Sequence, residues 1–272
     1  MNDTPPARGF DVTEFEARTT LAQTLMSEAD LSAILLTTEP EVRYFSGFQT
    51  PFWLSPARPW FLVVPRDGKP VAVIPEIGAE RMAATWIDDI RTWPAPCPND
   101  DGLTLLSGLL ADLARNSGNV GLPMGHETHL RMPLGDYLEL SNRLGGVGFK
   151  DATSIVRKLR MVKSETEIDK IRHVCGVVSD SFENLGAIAS TGDPERQVFN
   201  RFRIDLLERG ADQVPYLVGG SGPGGPVEII GPPGDRTIGA GDVLMMDTGT
   251  EFDGYFSDFD RNFAFVRLFK PC

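Results

Sequence analysis

Three aspartates, Asp247, Asp258 and Asp260, are spaced so that a hairpin would bring them to one face of the stretch DVLMMDTGTEFDGYFSDFDRNFAF (residues 242–265). The pivot is Asp253-Gly254, a pair that tolerates positive φ at both central positions of a two-residue turn. With the turn there, Asp247 falls opposite Asp260, and Asp258 becomes its diagonal neighbour on the same face. Carboxylates so placed repel one another, and burying them costs free energy unless a cation or a proton holds them together. A hard or borderline divalent metal supplies that charge and takes carboxylate oxygens as ligands. An exposed polar face on an edge hairpin is the competing reading. The strongly apolar strands around the acids favour the metal.

The elements that must position these acids are legible on either side. Residues 243–246, Val-Leu-Met-Met, form the apolar strand that ends at Asp247. Further upstream, Ser164 and Glu167 form a capping box opening a long helix. Its expected buried stripe is Ile168, Ile171, Val174, Val178, Phe182 and Leu185. A second helix spans 194–208, with Val198, Phe202 and Leu206 inward. A strand follows at 214–218, then a glycine-rich loop, GGSGPGG, at 219–225. That loop lacks the Gly-Lys-Ser/Thr ending of a phosphate loop, and no helix opens after it.

Towards the N-terminus, helical and extended patterns alternate. Helices are expected at 12–29, 41–45, 77–85, 103–116 and 134–144, and strands at 33–36, 60–64, 71–74, 90–93 and 120–122. This alternation predicts a mixed α/β domain over residues 1–150, followed by a second domain over 151–272.

The stretch MDTGTEFDGYFSDFDRNF resembles the first metal-ligand hairpin of the creatinase/prolidase/methionine aminopeptidase family, peptidase family M24. The residues that carry the resemblance are Asp247, Gly249, Gly254-Tyr255, Asp258 and Arg261. LLTTEPEVRYFSGF (35–48) is similar to the start of a creatinase-type N-terminal domain, and RKLRMVKSETEIDKIRHVC (157–175) to the family's domain junction. The resemblance implies an α/β (α+β) fold: a creatinase-type N-terminal domain followed by the first part of a pita-bread catalytic domain. It implies that Asp247 and Asp258 are the first two ligands of a two-metal centre holding manganese, cobalt or zinc. Asp260 stands where the family usually has Thr, and its expected place is as an acceptor behind the ligands. The implied activity is hydrolysis of X–Pro peptide bonds, as in aminopeptidase P or prolidase. The implied assembly is a homodimer in which the N-terminal domain helps shape the partner's active site. Trp53, Arg58, Trp60 and Trp93 are candidates for that role, with burial the commoner fate of a tryptophan.

Two departures from the pattern matter. The family usually has a His after the glycine-rich stretch; here PVEIIGPPGDR follows, with Glu228 as the nearest ionisable residue. The metal centre also needs a His and two Glu farther along, and no His follows His173. The closing VRLFKPC (266–272) does not follow the family continuation. The expectation is a C-terminally incomplete, truncated or frame-shifted chain that is inactive alone. Two alternatives stay open: a non-catalytic dimerisation or binding protein, and a creatinase-like amidinohydrolase. The latter needs no metal, so the Asp pair argues against it.

The rest of the composition narrows the field. A net charge of −12 disfavours non-specific nucleic-acid binding. No apolar run approaches a membrane span, and residues 1–10 lack a signal-peptide pattern. Cys97, Cys175 and Cys272 are few and widely spaced, which fits a reducing, cytoplasmic setting. His126 and His129 lie in a loop-like context, and no nucleophile elbow is present.

Overall fold

The computed structural model describes residues 4–115 and 118–265. The segment 266–272, with its expected departure from the family pattern, and Asn116, the expected end of one helix, lie outside the described residues. The chain forms two compact units, one spanning Gly9–Val162 and the other containing residues 4–8 and 163–265. No described helix is long and apolar enough to cross a membrane.

The first unit runs α1 (Val12–Glu28), β1 (Ala33–Leu36), α2 (Glu39–Ser46), a 3₁₀ turn (Pro51–Leu54), β2 (Phe61–Pro65), β3 (Val71–Pro75), α3 (Ala79–Ala83), β4 (Asp89–Trp93), α4 (Leu103–Ala114), β5 (Asn119–Leu122), α5 (Leu134–Arg143), β6 (Gly148–Asp151) and α6 (Thr153–Met161). Its mixed sheet has the strand order β4-β3-β2-β1-β5-β6. Both faces are covered, which is why the central strands read as unbroken apolar runs. Ile34 and Leu36 enter a core with Phe15, Phe45 and Trp60, while Ala33 and Leu35 enter a second core with Leu106 and Leu110. Helix α6 buries Ile155, Val156 and Leu159 in the first of these cores, so it packs with the N-terminal elements. Trp53, Trp60 and Trp93 are all buried.

The second unit runs α7 (Glu165–Glu183), α8 (Leu185–Ile188), α9 (Glu195–Glu208), β7 (Gln213–Pro223), β8 (Asp242–Phe252) and β9 (Tyr255–Ala264). The strands form an antiparallel sheet in the order β7-β8-β9. One face presents Leu217, Leu244 and Met246 to Val178, Phe182, Phe199 and Phe202 from the helices. Side chains alternate along a strand, so Asp247 and Gly249 lie on the opposite face from Met246.

Two expectations are corrected here. Residues 219–223 are strand, paired with 242–246 of β8, and are not part of a loop. Glycine is required there by close approach: a Cβ on Gly219, whose φ is +128°, would overlap the Met245 carbonyl oxygen. The N-terminal half of α7 buries Glu167 and Lys170, while Ile168 and Ile171 are only half-buried. Those two charged residues engage the hairpin turn, an attraction that a purely apolar stripe does not register.

Candidate metal centre

The β8–β9 hairpin turns through Asp253 and Gly254, with φ of +48° and +80°. Positive φ at both positions is the twist-matched two-residue hairpin turn. Phe252 pairs with Tyr255, Asp247 with Asp260 and Gly249 with Asp258. This register places all three aspartates on one face. Met246, on the other face, belongs to the core and Phe263 packs against it, so a one-residue slip would exchange carboxylates for apolar side chains.

The acids differ in environment. Asp258 and Asp260 are exposed, and Asp247 is half-buried. The Oδ1 atom of Asp247 is buried and has no hydrogen-bond partner. Burial, then the negative charges of Asp258 and Asp260, hold the Asp247 carboxyl above its usual range, with the neighbouring Tyr216 hydroxyl pulling the other way. A buried carboxylate oxygen without a donor is a costly group, and a cation would satisfy it.

Tyr216 completes the cluster. It is the cross-strand partner of Gly249, which in turn pairs with Asp258. Its ring lies over Gly249, where any Cβ would overlap it. The hydroxyl thereby crosses the sheet and donates to Asp258 Oδ1 at 2.7 Å. Burial, the bond to Asp258 and the charges of Asp247 and Asp258 push ionisation of the phenol far up, so it remains a neutral donor. Sequence reasoning missed Tyr216 because its pairing depends on a register shift between Gln213 and Tyr216.

Do these residues fit a divalent cation? The donor set is hard oxygen, two carboxylates share one face, and one oxygen lacks a partner. Asp247 and Asp258 therefore fit as two ligands of a centre. Among the described residues, no group of three or more His, Cys, Asp or Glu is placed to hold a metal ion, so most of the coordination would come from elsewhere.

Other candidates have structural employment. Glu228 accepts backbone N–H bonds from Ile230 and Gly231 at 2.7 and 2.8 Å, so it staples its own turn rather than standing ready to move a proton. His126 and His129 lie on an exposed loop of the first unit, where the His126 carbonyl accepts from Arg157. His173 packs edge-on against Phe252, 4.5 Å between centroids. Burial raises the pKa of the half-buried Cys175 thiol, which stays protonated. The glycine-rich end of β7 is held by Glu195, which accepts from the Ser221 N–H and hydroxyl at 2.8 and 2.6 Å.

The comparisons agree with this architecture. The model of the Creatinase/Prolidase N-terminal domain matches residues 18–162, and that of Metallopeptidase family M24 matches 169–271. The M24 match continues past residue 266, where a departure from the family pattern was expected. A probable dipeptidase PepE of Mycobacterium tuberculosis is 27% identical over 270 residues, covering 95% of this chain and 66% of its own. A putative dipeptidase YkvY of Bacillus subtilis is 24% identical over 248 residues, covering 89% and 64%. The chain thus spans about two thirds of the length of these relatives. Among solved structures, a prolidase from Thermococcus sibiricus superposes with a TM-score of 0.79 at 21% identity, covering 95% of this chain and 67% of that one. The dipeptidase PepE of Mycobacterium ulcerans gives 0.75 at 24% identity, covering 95% and 66%.

Proposed function

The chain belongs to metallopeptidase family M24, with a creatinase/prolidase N-terminal domain ahead of the M24 portion, and from that premise we propose that Asp247 and Asp258 are carboxylate ligands of a divalent-metal centre for peptide hydrolysis. The observation that carries this is the Asp247 carboxylate: one oxygen is buried without a donor, and its proton affinity is raised by burial and by Asp258 and Asp260. Proton affinity raised in this way marks a group that a cation would relieve.

The substrate class is a short peptide with proline second, in keeping with relatives named dipeptidases and neighbours named prolidases. The centre takes two ions of manganese, cobalt or zinc, all of which accept carboxylate oxygen. When bound, such metals supply Lewis-acid polarisation of the scissile carbonyl and an activated water. The protein's own residues do the positioning. The hairpin register keeps both carboxylates on one face, and Tyr216 fixes the orientation of Asp258 through its hydroxyl. Asp260, opposite Asp247, adds negative charge that favours a cation. The assembly is a homodimer through the N-terminal unit, whose exposed Phe52 and Leu54 offer apolar contact surface.

Residues 1–272 by themselves bind the ions weakly and do not turn over substrate. Two carboxylates from one hairpin supply few ligands. The test is an assay of an X–Pro dipeptide with manganese, beside creatine without metal. No turnover of either is expected. Manganese-dependent dipeptide turnover abolished by Asp258→Ala would overturn the inactivity but support the centre, whereas metal-free creatine turnover would move the chain to the amidinohydrolase branch.

A further inference from the structure

The turn that sets the β8–β9 register is gripped from outside the hairpin. The N–H of Asp253 donates to Asp212 Oδ2 at 2.7 Å. Arg8 holds the same Asp212 carboxylate with both terminal nitrogens, at 2.7 and 2.6 Å. The Arg8 guanidinium also lies 4.4 Å from the ring centroid of Phe252, the residue that enters the turn. On the other side, Lys170 Nζ donates to Asp253 Oδ2 at 2.6 Å and to the Ala7 carbonyl at 2.7 Å. Lys170 and Asp253 are almost wholly buried, at 0% and 3% side-chain exposure. Residues 7 and 8 thereby close a ring of contacts: Arg8 to Asp212, Asp212 to the turn, the turn to Lys170, and Lys170 back to Ala7.

We propose that the arm formed by Ala7 and Arg8 is a positioning device for the Asp247–Asp258 face: docked on the turn, it holds the β8–β9 register, and arm docking and divalent-cation binding favour each other. The reason is geometric. The turn, with the core side chains Leu244 and Met246 on the other face, decides whether Asp258 or a core residue faces the site, because each residue of slip reverses the faces. Arg8 offsets the acids gathered at the turn, Asp212 and Asp253. A bidentate fork orients Asp212 more strictly than a single charge could. If the arm favours the register in which the carboxylates converge, a cation that needs that register must favour the docked arm in return. The cation half of this inference rests on the metal-centre reading; the register half stands without it.

The experiment is amide hydrogen exchange on the 272-residue chain, wild type against Arg8→Ala and Arg8→Lys, with manganese titrated into each. Arg8 is half-exposed, so its loss leaves the core intact. In Arg8→Ala, exchange should rise about fivefold to tenfold at 253–255 and onward through Gly249 and Asp258. Arg8→Lys should recover part of this, keeping the charge without the fork. Manganese should bind Arg8→Ala at least about threefold more weakly. Acceleration confined to residues 4–8 and Asp212 would overturn the positioning role, whatever the metal does. Propagated acceleration with equal manganese affinity would overturn the coupling. Propagated acceleration in a chain whose wild type binds no manganese would support the register role and sink the metal reading instead.

Discussion

The Tyr216 hydroxyl lies 2.7 Å from Asp258 Oδ1, reaching it across Gly249 on the strand between them. The contact exists because position 249 has no side chain. Tyr216→Phe should therefore keep the fold and lose the orientation of Asp258. Manganese affinity should fall by about tenfold or more, the usual cost of removing a partner behind a metal ligand, while the thermal midpoint hardly moves. Gly249→Ala displaces the ring as well, and should lose the same affinity with an added overpacking cost of about 1–3 kcal/mol. Calorimetric titration beside thermal denaturation separates the two effects.

The three acids should be a burden to the metal-free protein. Asp247 has its folded pKa raised by burial, then by Asp258 and Asp260. Its stability contribution is therefore most favourable below the unfolded value of about 3.9 and falls as pH rises through the folded value. Asp260→Asn removes one cause and should stabilise the chelator-treated protein at pH 7. The gain should sit at the low end of about 0.2–1 kcal/mol, because Asp260 is exposed and screened. Urea midpoints at pH 7 measure it; a loss of stability would contradict the account of Asp247.

His173 sets an opposite pH dependence. Burial first, then the positive charge of Arg8, lowers its pKa, with Asp212 opposing. The folded protein favours the neutral ring, so the unfolded chain takes up the proton first as pH falls below about 6.5. The associated stability is complete above that pH and is lost on the way down to the folded value. His173→Phe, which keeps a ring against Phe252, should flatten the urea midpoint between pH 5 and 7.

Gly219 offers a test of the corrected strand. With φ at +128° and the Met245 carbonyl oxygen where a Cβ would sit, Gly219→Ala must open the β7–β8 ladder. A loss of at least about 2 kcal/mol is expected, with faster amide exchange along 216–222. A neutral result would mean that the segment behaves as the loop its composition suggests.

Much of this was legible in the residues themselves. Asp253-Gly254 announced the turn, and alternation along 243–247 and 255–260 fixed which side chains share a face. Ser164 and Glu167 announced the start of α7, and their reciprocal capping bonds are present. What stayed hidden depends on partners distant in sequence. The strand through Gly219 and Gly220 is held by its neighbour, with no propensity of its own. Tyr216 gains its role only through a pairing that includes a register shift. Strand β6 (Gly148–Asp151) carries little apolar signal because it lies at the sheet edge, largely exposed. Glu167 and Lys170 look like solvent residues until Tyr255 and Asp253 arrive beside them.

The most direct measurement is a calorimetric manganese titration of the 272-residue protein and of its Asp247→Asn and Asp258→Asn variants, all in one buffer at pH 7. The account predicts weak but saturable binding to the wild type, lost in both variants while their thermal midpoints stay level or rise. Binding that survives both substitutions, or no binding to the wild type at all, would contradict the assignment of these two aspartates to a metal centre.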